Sequence, residues 1–291
     1  MAAVPGGPAG DGAVPDGLDG DGPAADRTAG EFAGKVAVVT GGTSLIGVAI
    51  AQRFVSAGGS VVLADLDVEV AEAEVADLGA AVRLIGTDIT DDDQLDALLA
   101  STVDTYGGVD VLVNGAARLA EAQLATTRAD WLGSFDVNVV SAAVLIDKVV
   151  PLFAQRGGGA VVNIASVSGK VSQPGRIVYP ATKAALLSLT RNAAQQLAPL
   201  EIRVNAVSPG WTWSRNIERR YGSRERADAL GGEFHAIRRM ADPHEIADAV
   251  LFLASSRSSF TTGADLGVDG GYGAMGPEAL GQAFDLVPRI V

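Results

Sequence analysis

The chain has 291 residues, 48% of them hydrophobic, a formal net charge of −13 and no cysteine. That length buries a sizeable core unaided, the lack of cysteine excludes disulfides, thiolate metal sites and a cysteine nucleophile, and the acidic balance argues against nucleic acid or an anionic membrane as partner. Two histidines, His235 and His244, leave no His-rich metal set, no apolar run approaches the roughly 18 residues of a membrane span, and an acidic start without a basic-then-apolar pattern points to a cytoplasmic protein.

Residues 1–30 hold eight Gly, four Pro and five Asp. Such a segment buries too little apolar surface to offset its chain entropy, so a disordered acidic tail is expected there. From residue 31 to 291 the texture is that of one domain. Short runs rich in Val and Ile alternate with longer amphipathic stretches. The runs are Val36–Thr40, Val61–Ala64, Val82–Ile85, Val109–Val113, Ala160–Ile164, Ile202–Val207 and Ala264–Val268. They are apolar on both faces, as strands of a buried parallel sheet are. The amphipathic stretches between them are Ile46–Ala57, Val68–Leu78, Asp91–Tyr106, Phe135–Gln155 and Tyr179–Ala198. Strand–helix alternation predicts a doubly wound α/β sheet.

The first strand runs through Gly41-Gly42-Thr43-Ser44-Leu45-Ile46-Gly47 into a helix. A glycine-rich turn there lets backbone N–H groups and the helix N-terminus meet a pyrophosphate. The same residues also suit an ordinary strand–helix turn. The second strand ends at Asp65, about 20 positions on, where a carboxylate can hydrogen-bond the ribose hydroxyls of NAD and repel the 2′-phosphate of NADP. No Lys or Arg lies in the glycine loop, which again favours NAD. The fourth strand ends Asn114-Gly115-Ala116-Ala117, with small residues that let backbone approach a ligand. Asn114 itself reads as a strand-end structural residue.

Farther on, Tyr179-Pro180-Ala181-Thr182-Lys183 puts Tyr and Lys at i and i+4, on one helical face. Pro180 fits only a first turn, so the helix starts near Tyr179. A nearby ammonium favours phenolate and lowers the phenol's pKa, as a tyrosine acting as general acid/base near neutral pH requires. Ser166 follows the strand Ala160–Ile164, and Asn138 lies 28 residues before it.

Taken in order, the glycine loop, Asn114–Ala117, Asn138, Ser166, Tyr179 with Lys183, Pro209-Gly210, and the segments around Arg239–Ile246 and Thr262–Gly271 resemble the short-chain dehydrogenase/reductase family from about residue 35 to 273. One departure is Leu45, where that family usually has glycine. The resemblance implies a single Rossmann-like domain, seven strands in the order 3-2-1-4-5-6-7. It implies hydride transfer between a secondary alcohol or ketone and a nicotinamide, NAD rather than NADP. Tyr179 would be the general acid/base. Ser166 would orient the substrate oxygen, Lys183 would depress the Tyr179 pKa and hold the nicotinamide ribose, and Asn138 would position a water. Gly41, Thr43, Ser44, Leu45 and Ile46 would line the cofactor, with Asp65, Asp88 and Ile89 at the adenosine and Asn114 and Ala116 farther along. Pro209, Gly210, Thr212 and Ser214 would meet the nicotinamide.

The substrate is less legible. The covering segment, about 211–235, carries Trp211, Trp213, Tyr221 and five arginines, among them Arg215. The aromatics could wall a ring-shaped substrate, while the arginines suit a solvated helix face. Arg118, Val167, Gln173, Arg176 and Trp213 are the substrate candidates, and the two arginines suggest a hydroxy or keto compound with an anionic group. His235 and His244 read as surface or packing residues. The resemblance further implies a homotetramer or homodimer through Phe135–Gln155 and Tyr179–Ala198. The apolar stretch Ala274–Val291 would pack on a neighbour or close the site. A catalytically silent nucleotide-binding protein and a non-redox enzyme are the alternatives. An enoyl reductase is disfavoured because its Tyr–Lys spacing is typically longer.

Overall fold

The structure, a computed structural model, describes residues 30–119 and 125–276. The expected tail, apart from Gly30, and the apolar C-terminal stretch beyond residue 276 lie outside them.

Seven parallel strands form one sheet: β1 Val36–Thr40, β2 Ser60–Asp65, β3 Val82–Gly86, β4 Val111–Asn114, β5 Gly159–Ile164, β6 Ile202–Pro209 and β7 Asp265–Val268. Their order is β3-β2-β1-β4-β5-β6-β7. The chain winds outward from β1 to β3, then returns to lay β4 on the other side of β1. The strand order reverses there, and the crevice at the carboxyl ends of β1 and β4 is where such sheets bind ligands. Register aligns Thr40 with Asn114 and Asn114 with Asn163 across β1, β4 and β5.

The central strands are buried along both faces, as their Val and Ile content predicts. β3 departs from that expectation. It is an edge strand, and Arg83 and Gly86 are exposed. Alternate side chains enter two cores. Val39, Leu63, Val113 and Val162 face one layer. Val38, Val62, Leu112 and Val161 face the other. Each such side chain stabilises the fold by roughly 1.5–3 kcal/mol through burial.

Nine α-helices flank the sheet among the described residues: α1 Leu45–Ser56, α2 Glu72–Val75, α3 Asp92–Tyr106, α4 Arg128–Phe135, α5 Ser141–Gln155, α6 Val178–Leu197, α7 Arg215–Tyr221, α8 Arg224–Gly231 and α9 Pro243–Ala254. The expected helix over Val68–Leu78 is broken. α2 keeps one turn between two 3₁₀ segments, and Gly79 at φ +57° ends the regular backbone. The expected helix from Phe135 begins earlier. A capping box of Thr127 and Asp130 opens α4, and a π-helical turn over Asp136–Val140 joins it to α5.

The continuous helix 128–155 corrects one expectation from the sequence. By length and mean hydropathy it could cross a membrane, which an inspection of unbroken apolar runs misses because Asp136, Asp147 and Lys148 interrupt it. Its inward face belongs to the core: Leu145, Ile146, Val149 and Phe153 are buried beneath the sheet.

Candidate active site

The glycine loop is built around close backbone approach. Gly41 has φ +69°, and a Cβ there would lie 2.7 Å from the Ala116 nitrogen and from the Gly115 carbonyl group. At Gly47 a Cβ would meet the Gly42 carbonyl oxygen at 2.6 Å. Leu45 is the first residue of α1 and carries no positive φ, so a side chain is sterically free to stand where the resembling family has glycine. Ser44 caps α1, its hydroxyl accepting from the Gly47 N–H at 3.1 Å. No acidic side chain occupies the first turn, so the helix N-terminus is open to an anion. Gly41, Ser44 and Ile46 line a narrow cavity with Gly115.

Asp65 stands at the end of β2, beside this loop. Its Oδ2 accepts from the Thr43 N–H at 3.1 Å and the Thr43 hydroxyl at 2.7 Å, and its Oδ1 accepts from the Leu66 N–H. Asp88 is turned onto Thr90, accepting from its N–H and hydroxyl. Ile89 lines a second cavity together with Thr40, Asn114, Ala116 and Asn138.

A ladder of buried amides holds the strand ends. The Asn114 Nδ2 donates to the Asn163 Oδ1 at 2.8 Å, and the Asn163 Nδ2 donates to the Thr190 hydroxyl on α6 at 2.9 Å. The Asn114 Oδ1 is buried without a hydrogen-bond partner in a residue that lines the second cavity. An unsatisfied buried acceptor is costly, and a bound donor would relieve it. With the glycine cradle and the open N-terminus of α1, this makes the groove a fit for a dinucleotide.

Asn138 lies in the π-helical turn. Its Nδ2 donates to the Arg118 carbonyl at 3.0 Å and the Thr182 hydroxyl at 2.9 Å, while its Oδ1 accepts from the Arg118 N–H at 2.7 Å. The side chain is therefore a clasp between the segment after β4 and α6.

Ser166, Tyr179 and Lys183 converge. Ser166 follows β5, and its hydroxyl accepts from the Ser168 N–H at 3.1 Å. Tyr179 sits in the first turn of α6, as Pro180 requires, with the Ser166 side chain near enough to act on its hydroxyl. The Lys183 ammonium lies 5.5 Å from the Tyr179 ring centroid and donates to the Ile164 carbonyl at 2.6 Å.

The electrostatics correct the sequence expectation. Loss of solvent raises the Tyr179 pKa above 10.0, and the Ser166 side chain and the Arg176 charge pull it down without offsetting that rise. Lys183 is 2% exposed, and burial lowers its pKa from 10.5 to about 8. Without a cofactor the phenol is held neutral rather than driven toward phenolate, because burial outweighs the nearby charges.

The other candidates scatter. Arg118 reaches back to Asp130 on α4 at 3.7 Å. Gln173 is held between the Ser168 hydroxyl and the Tyr272 hydroxyl. Val167 is buried, 2% exposed, directly after Ser166. Arg176 is exposed and has no ion pair among the described residues.

After β6, which ends at Pro209, the Gly210 N–H donates to the Val268 carbonyl. The Thr212 hydroxyl donates to the Gly210 carbonyl, and Ser214 caps α7. The Arg224 guanidinium lies over the Trp213 ring, 5.7 Å from its centroid. His235 is a buried packing residue whose Nε2 accepts from the Trp211 N–H at 3.0 Å, with its Nδ1 on the Gly231 carbonyl. Arg215 belongs to the site unexpectedly. Its Nη1 donates to the Thr43 carbonyl at 2.5 Å and its Nη2 pairs with Glu74 at 2.5 Å.

The family model described as Enoyl-(Acyl carrier protein) reductase matches residues 41–273. Among curated relatives, the chain is 36% identical over 250 residues to a cis-4-hydroxycyclohexanecarboxylate dehydrogenase of Sinomonas cyclohexanicum, covering 84% of this chain and 98% of that protein. It is 36% identical over 252 residues to 3beta-hydroxysteroid dehydrogenase 2 of Eggerthella lenta, covering 83% and 96%. It is 35% identical over 242 residues to a 3-oxoacyl-acyl-carrier-protein reductase of Thermotoga maritima, covering 82% and 97%.

Proposed function

The chain belongs to the short-chain dehydrogenase/reductase family, and from that premise we propose that it interconverts a secondary alcohol and a ketone with a nicotinamide cofactor, NAD(H) in preference to NADP(H). The observation that carries this reading is the convergence of Ser166, Tyr179 and Lys183 at the carboxyl ends of the central strands.

When bound, the nicotinamide supplies the hydride acceptor or donor. The protein's own residues handle the proton and the geometry. The Tyr179 hydroxyl takes the proton from the alcohol in one direction and gives it to the carbonyl oxygen in the other. Ser166 accepts from Ser168 and so keeps its own proton to donate to the substrate oxygen. Lys183, held by the Ile164 carbonyl, orients Tyr179 and is placed to meet the ribose of the nicotinamide. Asn138 holds the segment after β4 against α6, which keeps the wall of the site in register with Tyr179. Asp65 supports NAD over NADP through its carboxylate. Arg215 brings a positive charge to the same loop, but Glu74 already pairs with it.

Arg176 supports the substrate class. An exposed guanidinium three residues before Tyr179, without an ion pair among the described residues, suits a hydroxy or keto compound bearing a carboxylate or similar anion. One relative named for a hydroxy-acid substrate fits that reading. Leu132 and Val140, exposed on the long helix, support pairing with a second copy as a homodimer or homotetramer.

Titration with NADH and NADPH, followed by tryptophan quenching, tests the proposal. Tighter NADH binding and turnover of secondary hydroxy acids are expected. Tighter NADPH binding overturns the cofactor preference. Reduction of an enoyl thioester but of no ketone would transfer the reading to the chemistry named by the matched family model. Binding of neither cofactor would put a catalytically silent protein in its place.

A further inference from the structure

The covering segment is tied to the rest of the molecule unevenly. Among the described residues, the polar side-chain contacts of α7 and α8 stay within residues 211–242. Arg224 pairs with Asp228 and Asp242 and donates to the Met240 carbonyl. Asp228 accepts from the Met240 N–H, and the Trp213 N–H donates to the Ala241 carbonyl. Arg215 is the exception. Its guanidinium fork leaves the segment altogether and lands on two elements of the N-terminal half, the Thr43 carbonyl in the glycine loop and the Glu74 carboxylate on α2.

The placement of these partners matters. Thr43 is also the residue whose N–H and hydroxyl hold Asp65, and it precedes Ser44, the cap of α1. Arg215 directly follows Ser214, on the side of the groove assigned above to the nicotinamide. The fork therefore runs from the nicotinamide side to the rim of the pyrophosphate and ribose side. We propose that Arg215 is a latch: it fastens the covering segment across the dinucleotide groove, and the cofactor leaves only after the fork releases Thr43 and Glu74. This rests on the nicotinamide reading above. A planar guanidinium grips a carbonyl and a carboxylate together in one fixed geometry, which an ammonium on a flexible stem holds less firmly. Arg215 is thus a positioning residue whose effect falls on release more than on association.

The test compares wild type, Arg215→Ala and Arg215→Lys by two readouts that need no substrate. Hydrogen exchange of the cofactor-free proteins reports the latch itself: amides of residues 215–221 exchange faster in both variants, while those of β1 and β4 do not change. Stopped-flow displacement of bound NADH reports the gate. The dissociation rate rises about tenfold in Arg215→Ala, by less in Arg215→Lys, and association changes little. Glu74→Gln raises it by a smaller factor than Arg215→Ala. Unchanged exchange overturns the latch. Faster exchange with an unchanged dissociation rate shows a tie that gates nothing and also overturns it. Failure of wild type to bind either NADH or NADPH overturns the nicotinamide reading and the gate together, whereas wild-type binding with unaltered release in both variants overturns the latch alone.

Discussion

The two ends of the groove are built by opposite means. At the glycine loop the backbone does the work, and side chains are absent where they would collide: Gly41 lies against Gly115 and Ala116, and Gly47 against Gly42. At the catalytic end the work is done by polar side chains taken deep into the fold. Lys183, Asn114, Asn138, Asn163, Thr182 and Thr190 are all buried. Hydrogen bonds join Asn114 to Asn163, Asn163 to Thr190 and Asn138 to Thr182, and Lys183 donates to the Ile164 carbonyl. The first end constrains volume. The second constrains donor and acceptor identity. This explains how the loop absorbs Leu45, which stands at a position with no steric veto, and it implies that the catalytic end would not absorb a comparable change in polarity.

The sharpest separation of the two ends is Tyr179→Phe. It removes the hydroxyl proposed to move the proton, so kcat is expected to fall by about 10²–10⁴. The glycine loop is untouched, so the NADH dissociation constant should stay within twofold. Undiminished turnover in steady-state assays would remove Tyr179 from the mechanism.

Lys183→Met comes next and acts on stability. The Lys183 pKa is about 8 in the fold against 10.5 ordinarily. Between those values the unfolded chain holds a proton that the folded chain has shed, so this group makes stability rise with pH across that window. The full rise is at most about 3–4 kcal/mol. In Lys183→Met that slope disappears. At pH 7 the variant no longer buries a charge and should be at least as stable as wild type, though inactive. Urea unfolding at pH 7 and pH 10 measures both, and an unaltered slope in the variant would refute the assignment.

The smallest effects form a matched pair in the loop. Gly41→Ala puts a Cβ into backbone at positive φ and should destabilise by about 1–3 kcal/mol. Leu45→Gly places glycine at the start of α1, outside any steric conflict, and should cost under about 1 kcal/mol. Thermal unfolding of the two variants reads the contrast directly. Equal losses would mean that side-chain volume is not what shapes this end.

The sequence carried the sheet well, because β-branched runs bounded by Gly, Asn and Asp are local signals. It carried Tyr179 and Lys183 for the same reason: their spacing within one helix is local. It was weakest where a pairing joins distant parts of the chain. Nothing near Arg215 announces Thr43, 172 residues away, and its neighbours Arg219 and Arg220 suited a solvated face. Asn163 was overlooked because it sits inside a Val-rich run. Its signal was a polar residue at the end of a buried strand in register with Asn114. Arg118 and Arg176 are equally close to the site in sequence, yet only the fold shows one engaged with Asp130.

The turn over Asp136–Val140 has a rotational meaning. An α-helix advances by about 100° per residue, and a π-helical turn accommodates one residue more than an α-helical one. The helix 128–155 therefore has two phases. α5 packs on β4 and β5, while α4 addresses α6, and Asn138 lies at the change of phase, where it grips both Arg118 and Thr182. The two halves of this helix are thus geared to different neighbours by a single extra residue. Deleting it would not merely shorten the helix but would swing α4 by about a quarter turn away from the helix that carries Tyr179.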